Sequence, residues 1–321
     1  MGAKPKVVVT RKLPEAVEAR LERDYQPSFN RDDHVYSTDE LVELADGADA
    51  LLPCHSEHLD AVAIARLPDS VKVIANFSVG VDHVDLQAAK ARGIVVTNTP
   101  DVLSDATAEI AMLLMLGAAR RAAEGDRLIR SRQWRQWSPA FMVGRQVTGK
   151  SLGIVGMGRV GQVVARRARG FDMHIHYHNR RRLPAHAEQG AEFHEDLDTL
   201  LGVCDVVSLH CPATPQTRAL IDAERIARMR PGVILVNTAR GALVDDEALQ
   251  QALRSGAVAA AGLDVFNDEP DVHPGYRELD NTFLLPHIGS ATRETRDAMG
   301  FRALDNLDAV FAGREPGDRV A

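Results

Sequence analysis

The 321-residue sequence has few cysteines, few aromatic residues and no long apolar run. Its three cysteines, Cys54, Cys204 and Cys211, form neither an even set nor a CxxC spacing, which argues against a disulfide framework or a zinc site. We therefore expect three reduced thiols in a cytoplasmic protein. The most apolar run, Ile110 to Ala119, is half the roughly 20 residues that a membrane-spanning helix needs. We expect no membrane span, and the first residues show no secretory signal.

Positive charge is also in deficit, with 38 Lys+Arg against 45 Asp+Glu and a formal net charge of −7. Affinity for nucleic acid of any sequence comes from neutralising phosphates with Lys and Arg, so we expect no nucleic-acid partner. Small anionic ligands respond to local charge and stay open. A hydrophobic content of 45% and a charged content of 26% are typical of a globular protein.

Short β-rich segments alternate with helical patterns almost throughout, which is typical of parallel sheets covered by helices on both faces. The first third and the part after Ser151 each contain such a series, and the second series is long enough for a complete doubly wound domain. The expected strands are Lys6–Thr10, Ala50–Cys54, Val71–Asn76, Ile94–Asn98, Leu152–Val155, Met173–Tyr177, Val206–His210, Val233–Asn237, Ala259–Asp264 and Phe283–Leu285.

Two long helical patterns, at 103–123 and Ala291–Ala312, flank the second series. The final helix has no strand to return to in the second domain, so we expect it to pack on the first.

A glycine-rich turn follows the first strand of the second series. In SLGIVGMGRVGQVV, Gly156, Gly158 and Gly161 occupy the positions of a dinucleotide-binding fingerprint, and Arg159 and Val160 begin the helix. A helix N-terminus in this place offers N–H groups and a positive dipole end to a pyrophosphate. The alternative is an accidental glycine-rich turn, but the strand before and the helix after favour dinucleotide binding.

The end of the next strand indicates which dinucleotide is bound. An NAD site expects an acid about 20 residues on, where it accepts hydrogen bonds from the ribose 2′-hydroxyl. Here HIHYHNRRR ends in Asn179, Arg180, Arg181 and Arg182. Arginines pair with a 2′-phosphate, so the segment favours NADP(H), with NAD(H) used at lower efficiency. The alternative is a solvated basic turn.

Three histidines, His174, His176 and His178, alternate on the same strand and therefore share one face. A metal triad is conceivable on that face. We expect instead partly exposed strand histidines beside the cofactor, and no metal.

Several residues follow later strands, at the sheet edge where open α/β sheets bind ligands. They are Thr238, Arg240, Asp264, Glu269, His287 and Gly289. We expect Thr238, Asp264, His287 and Gly289 to bind the cofactor.

These residues supply what hydride transfer to a 2-oxo acid needs. His287 would donate the proton to the developing alkoxide, and Glu269 would stabilise the charged imidazolium. Arg240 offers a planar fork to the substrate carboxylate, and Asp264 would orient the nicotinamide carboxamide. Each residue alone has an ordinary structural explanation, as a surface ion pair, a helix-start acid or a loop histidine.

The sequence resembles the D-isomer-specific 2-hydroxyacid dehydrogenases over essentially its whole length. The resemblance covers NFSVGVDHVD at 76–85, GIVVTNTPDVLSDATAE at 93–109, the glycine loop, and the arginine, glutamate and histidine segments in the family order. WRQWSPAFMVG at 134–144 and the NRRR segment favour the glyoxylate/hydroxypyruvate reductase branch.

The resemblance implies roles for particular residues. Arg240 binds the substrate, and Glu269 with His287 forms the acid/base pair. The backbone amides of Val79 and Gly80 hold the substrate carboxylate across an interdomain cleft. The same cleft is expected to be lined by Pro53 and His55.

The implied fold is α/β, with two doubly wound parallel-sheet domains and the active site in the cleft between them. Residues 1–99 plus 290–321 form a discontinuous, flavodoxin-like substrate domain, and 100–289 form a Rossmann dinucleotide-binding domain. A homodimer is implied, built mainly through an arm at about 103–145. Trp134 and Trp137 lie in that arm, either in ordinary core packing or at the partner's active site.

We therefore expect NADPH-dependent reduction of glyoxylate to glycolate and of hydroxypyruvate to D-glycerate. Many relatives carry an acid where this chain has Asn179, so NAD use is not inherited from the resemblance. Formate-oxidising relatives have an amide where this chain has Glu269, which argues against formate as a substrate. The alternatives are a reductase of larger 2-oxo acids and a dinucleotide-sensing corepressor, the latter by analogy of fold.

Overall fold

The computed structural model describes residues 3–321, and the chain divides into two compact units. One unit runs up to Leu103 and resumes over Ala291–Ala321, and the other spans Ser104–Ser290. The divisions fall at 103/104 and 290/291, whereas the sequence analysis expects them at 99/100 and 289/290. Leu103 stays with the first unit because its side chain packs against that unit's core.

Twelve strands make two sheets. They are β1 (Lys6–Val9), β2 (Gln26–Phe29), β3 (Ala50–Leu52), β4 (Val73–Ala75), β5 (Val95–Thr97), β6 (Ser151–Val155), β7 (His174–His178), β8 (Glu192–Phe193), β9 (Val206–Leu209), β10 (Val233–Asn237), β11 (Val258–Leu263) and β12 (Thr282–Leu284).

Thirteen α-helices connect the strands within the described residues. They are α1 (Glu15–Asp24), α2 (Thr38–Leu44), α3 (Ala61–Arg66), α4 (Leu86–Ala91), α5 (Ser104–Ala119), α6 (Ala122–Arg130), α7 (Arg159–Ala168), α8 (Ala185–Glu188), α9 (Leu197–Val203), α10 (Ala223–Arg228), α11 (Asp246–Ser255), α12 (Pro274–Arg277) and α13 (Arg293–Phe311).

The first unit is a five-stranded sheet in the order β2-β1-β3-β4-β5, with every neighbouring pair parallel. This is the flavodoxin-like doubly wound order. Strand residues alternate between two cores, so Val7 and Val9 face α1 and α13 while Val8 faces α2 and α3. The α1 and α13 helices pack so closely that a Cβ at Gly300 would lie 2.3 Å from Cγ2 of Val17.

The second unit is a seven-stranded parallel sheet in the order β12-β11-β10-β9-β6-β7-β8. The strand order reverses between β6 and β9, which is the topological switch point where Rossmann folds bind dinucleotides. The α5 helix packs on α7, β10 and β11 of this unit. A Cβ at Gly262 of β11 would lie 2.7 Å from the carbonyl oxygen of Leu114, so glycine is needed where α5 approaches. The expected fold class of two parallel-sheet α/β domains is confirmed.

Two strands and one helix boundary differ from the sequence expectation. Strands β2 and β8 were not predicted, because QPSF contains a proline and β8 has only two residues. The helix expected over 103–123 is two helices, since Arg121 has a left-handed backbone (φ 56°) that separates α5 from α6. Among the described residues, no helix is both long and apolar enough to cross a bilayer.

The segment after α6 presents apolar side chains to solvent. Trp134 is 51% exposed and Trp137 is 73% exposed. Packing of these tryptophans in the core of the chain, one of the two alternatives, is therefore wrong. Phe141 and Val143 are exposed in the same segment.

Candidate active site

The glycine loop between β6 and α7 has the close contacts that its sequence predicts. Gly156 has φ 94°, and a Cβ there would lie 2.6 Å from the backbone nitrogen of Cys211. A Cβ at Gly161 would lie 2.6 Å from the carbonyl oxygen of Gly156. Glycine at both positions lets the turn close and lets α7 approach β6.

The middle glycine has a different surrounding. A Cβ at Gly158 would meet no atom of the described residues within 4 Å, so the backbone borders open space. Gly158 caps α7 without a side-chain hydrogen bond, and the first turn of the helix, from Arg159 and Val160, presents its N–H groups there. An uncapped helix N-terminus beside open space fits the pyrophosphate of a dinucleotide.

Asn179 lies just beyond β7 and is joined to this loop. Its Oδ1 accepts a hydrogen bond from the backbone N–H of Met157 at 2.7 Å. The amide therefore occupies the position where an NAD site of this fold carries an acid.

The three arginines after Asn179 differ in their contacts. Arg182 forms a bidentate pair with Glu188, with N–O distances of 2.7 and 3.1 Å. Arg180 and Arg181 are exposed, and neither forms a hydrogen bond or ion pair with any residue in the described part of the chain. Two uncommitted guanidinium groups thus follow the strand end at which a cofactor's ribose is expected.

A histidine that the sequence analysis missed lies beside the glycine loop. His210 follows β9, and its ring contacts Oγ of Ser208 at 2.8 Å and Oγ1 of Thr238 at 3.3 Å. Desolvation lowers the pKa of His210 to about 4, so the ring is neutral at physiological pH. No motif marks His210, but its place after the strand next to β6 at the switch point could have revealed it.

Asp264, at the end of β11, is 1% exposed and holds the histidine segment in place. Its two carboxylate oxygens accept the backbone N–H groups of Ile288 at 2.8 Å and Gly289 at 2.7 Å. Its carbonyl oxygen accepts the N–H of His287 at 2.8 Å. Burial raises the pKa of Asp264, which its two backbone hydrogen bonds partly oppose.

The Glu269 and His287 side chains are brought together. Nδ1 of His287 lies 2.6 Å from Oε2 of Glu269, and both side chains are about one quarter exposed. Oε1 of Glu269 accepts the backbone N–H of Phe266 at 2.7 Å, which orients the carboxylate. A histidine that gives Nδ1–H to a carboxylate is oriented so that its other ring nitrogen, Nε2, is the one that can exchange a proton with a ligand.

Arg240 follows β10 on the same edge of the sheet. Its side chain donates to the carbonyl oxygen of Ala239 at 2.7 Å, and its own carbonyl accepts from the amide of Asn237 at 2.8 Å. The next residue, Gly241, touches the loop that leads to Glu269, since a Cβ there would lie 2.0 Å from the carbonyl carbon of Phe266. This close approach ties the arginine segment to the glutamate loop.

The residues expected from the first domain lie in loops after β3 and β4. The carbonyl of Val79 accepts from the amide of Asn98 at 2.8 Å, and the carbonyl of Gly80 accepts from Oγ of Ser78 at 2.6 Å. These carbonyl contacts fix the turn that carries the two amides. Pro53 and His55 directly follow β3.

The strand histidines do not form a triad of their own. His174 is exposed, and His178 contacts the carbonyl of His194 through Nδ1 at 3.0 Å. His176 instead lies 3.0 Å from the ring of His194, with Glu192 nearby.

The second unit thus gathers a dinucleotide cradle, a histidine–carboxylate pair and an arginine beyond the carboxyl ends of parallel strands. A cation, a proton donor and a place for a nicotinamide are the requirements of reversible hydride transfer to a carbonyl group.

The chain is similar in sequence to known proteins. Residues 112–289 match the family model of the D-isomer specific 2-hydroxyacid dehydrogenase NAD binding domain. The chain is 46% identical to a glycerate dehydrogenase from Hyphomicrobium methylovorum, with 98% of each chain covered. It is 45% identical to a glyoxylate reductase from Thermococcus onnurineus (strain NA1), covering 98% of this chain and 95% of the relative.

Solved structures show the same likeness. A D-isomer specific 2-hydroxyacid dehydrogenase from Polaromonas sp. JS6 66 superposes with a TM-score of 0.94 at 45% identity, covering 100% of both chains. An NADPH-dependent glyoxylate/hydroxypyruvate reductase from Sinorhizobium meliloti, in complex with NADP and malonate, has a TM-score of 0.86 at 32% identity. It covers 99% of this chain and 97% of its own. The chain therefore belongs to the D-isomer specific 2-hydroxyacid dehydrogenase family, in its glyoxylate reductase branch, and its cofactor is a nicotinamide dinucleotide.

Proposed function

We propose that the protein reduces small 2-oxo acids with NADPH, converting glyoxylate to glycolate and hydroxypyruvate to D-glycerate. The observation that carries the proposal is the 2.6 Å contact between His287 and Glu269, on the sheet edge that also holds the glycine loop. The names of the relatives, a glycerate dehydrogenase and a glyoxylate reductase, support the same chemistry.

The reaction needs one hydride and one proton. When bound at the glycine loop, NADPH would supply the hydride. His287 gives the proton to the carbonyl oxygen, and Glu269 stabilises the imidazolium that precedes this transfer. Arg240 pairs with the substrate carboxylate through its planar fork. The amides of Val79 and Gly80 are proposed as a second set of donors to that carboxylate.

The preference for NADPH rests on the segment after β7. Arg180 and Arg181 are exposed and make no hydrogen bond or ion pair within the described residues, so their guanidinium groups can pair with a 2′-phosphate. The uncharged Asn179 does not repel that phosphate. NADH, which lacks the phosphate, is proposed to react with lower efficiency.

A homodimer through the arm at about 103–145 is part of the proposal. Exposed large apolar side chains concentrate in this arm, where each is at least two-fifths exposed: Leu113, Ile129, Trp134, Trp137, Phe141 and Val143. Such a concentration is typical of a protein–protein contact. Light scattering should give twice the mass of one chain. Trp137→Ser with Val143→Ser should lower it, whereas Val62→Ser, an exposed apolar residue of the first unit, should not.

A cytoplasmic location is also proposed, supported by the three unpaired cysteines.

The deciding experiment is a steady-state comparison of glyoxylate, hydroxypyruvate and phenylpyruvate with NADPH and with NADH. We expect the highest kcat/KM for glyoxylate or hydroxypyruvate with NADPH. Strong activity on phenylpyruvate and none on glyoxylate would contradict the proposed substrate class. A preference for NADH would contradict the proposed cofactor preference.

A further inference from the structure

Three side chains that could bind a metal ion lie at the β8 edge of the seven-stranded sheet, and none of them belongs to the candidate active site. His176 of β7 and Glu192 of β8 are direct partners in the parallel register. His194 lies two residues beyond Glu192, and its backbone N–H donates to the carbonyl of Tyr177 at 2.8 Å, which extends the pairing. Because residues two apart in a strand share a face, all three side chains lie on one side of the sheet.

The ligand atoms form a triangle of the size that a metal ion requires. Nδ1 of His176 lies 3.0 Å from Nε2 of His194. Glu192 is 3.6 Å from the first nitrogen through Oε2 and 3.7 Å from the second through Oε1. Zinc–ligand bonds of about 2.0–2.2 Å in a tetrahedral arrangement separate the ligand atoms by about 3.3–3.5 Å, so small side-chain shifts suffice.

The burial of the three groups also suits a bound ion. The ring of His194 is 8% exposed and that of His176 is 14% exposed, whereas Glu192 is 66% exposed. The buried imidazole of His194 and the partly buried one of His176 form the inner side of the site, and the exposed carboxylate forms its solvent side. No Lys or Arg forms an ion pair with Glu192 among the described residues, so its charge is not already neutralised by a cation.

We propose that His176, Glu192 and His194 bind one divalent transition-metal ion of the zinc class, with water completing the coordination. Two imidazoles and one carboxylate favour Zn²⁺, Co²⁺, Ni²⁺ or Cu²⁺ over Mg²⁺ or Ca²⁺, which prefer oxygen ligands. The ion links β8 to β7 through their side chains. This link supplements a short backbone pairing, because β8 has only two residues. This role is independent of the proposed reaction.

The ion would act on the strand that leads to the cofactor segment. His178, the last residue of β7, contacts the carbonyl of His194, and Asn179 follows it. Fixing His194 therefore restrains the strand end next to Asn179. We expect Zn²⁺ at about 100 times its Kd to raise the Tm by about 5–10 °C.

Cobalt titration of the metal-stripped full-length protein tests the proposal directly, because tetrahedral Co²⁺ absorbs visible light. We expect one Co²⁺ per chain, displaced by Zn²⁺. Glu192→Gln should weaken binding at least about tenfold, which corresponds to 1.4 kcal/mol. Its matched control, Glu195→Gln, changes a neighbouring exposed glutamate and should bind as the wild type does. His194→Gln should abolish the cobalt spectrum.

Other results would overturn the proposal. Wild-type protein without stoichiometric binding would do so at once. Equal cobalt affinity of wild type and Glu192→Gln would show that the carboxylate is not a ligand. Binding that survives in Glu192→Gln but is lost in His287→Ala would assign the ion to the catalytic pair instead. Glu192 is exposed, so its variant stays informative even where His194→Gln fails to fold.

Discussion

Oδ1 of Asn179 accepts the backbone N–H of Met157 at 2.7 Å, so the end of β7 is hydrogen-bonded to the glycine loop. An aspartate at this position would keep that bond, because a carboxylate oxygen accepts as well as an amide oxygen does. It would also place a negative charge where a 2′-phosphate is proposed to lie. A change at position 179 can therefore alter the cofactor preference without altering the structure of the glycine loop.

Asn179→Asp should shift the enzyme from NADPH toward NADH. Repulsion of the 2′-phosphate should lower the ratio of kcat/KM for NADPH to that for NADH by about tenfold or more. Steady-state kinetics with both cofactors measure the ratio, and an unchanged Tm would show that the loop is intact. A ratio equal to that of the wild type would contradict the proposed position of the phosphate.

Substitutions of the three arginines after Asn179 should differ in their effect on KM for NADPH. Arg180→Ala or Arg181→Ala should raise KM for NADPH by about 10–100-fold, since a hydrogen bond to a charged group contributes about 1.5–3 kcal/mol. KM for NADH should stay the same. Arg182→Ala is the matched control, because this side chain is already paired with Glu188. If Arg182→Ala alone changed cofactor discrimination, the assignment would be wrong.

Loss of the acid/base pair should slow chemistry without preventing cofactor binding. His287→Gln and Glu269→Gln should each lower kcat by about 10²–10⁴-fold, the usual contribution of a positioned acid. NADPH binding, followed by its fluorescence, should be retained. His186→Gln replaces an exposed histidine of α8 and should leave kcat unchanged. Full activity in His287→Gln would exclude it as the proton donor.

Gly241→Ala should disturb the site through packing. The added Cβ would lie 2.0 Å from the carbonyl carbon of Phe266, so the loop carrying Glu269 must move. Overpacking of about 1–3 kcal/mol should lower the Tm by about 2–10 °C, and kcat/KM should fall as well. Gly170→Ala is the control, since its Cβ would meet no described atom within 4 Å. Equal Tm values for the two variants would contradict the close approach.

His210 should make the protein lose stability in mild acid. Its pKa is about 4 in the folded protein and about 6.5 in the unfolded chain, so the unfolded state takes up the proton first. Stability is complete above pH 6.5 and decreases by up to about 3 kcal/mol as the pH falls through 4. His210→Gln should show a smaller decrease in Tm over this range, and the exposed His186→Gln should follow the wild type.

Much of the fold was predictable because its signals are local. β1 contains the apolar run Val7–Val9 and β10 the apolar run Val233–Val236, and the glycine loop is defined by spacing within a few residues. β2 and β8 were missed because they are short edge strands held by pairing with β1 and β7 rather than by their own pattern. The break at Arg121 was missed because a left-handed backbone at arginine has no sequence mark.

Within the candidate site, residues directly after a strand were predictable and contacts between loops were not. Arg240 and His287 each follow a strand closely, so topology alone places them at the ligand edge. The contact of Gly241 with Phe266 and the position of His210 depend on how separate loops fold over one another. Glu192 could not be recognised as a partner of His176, because β8, the strand that carries Glu192, was not predicted.

The return of α13 to the first unit has a consequence during synthesis of the chain. This helix packs on α1 and β4, and beyond it Arg319 forms an antiparallel β-bridge with Thr97 of β5. Residues 104–290 emerge from the ribosome before α13 does, so the second unit can complete its core while the first still exposes one sheet face. Chaperones that act on the nascent chain should therefore bind the N-terminal third, although it is made first.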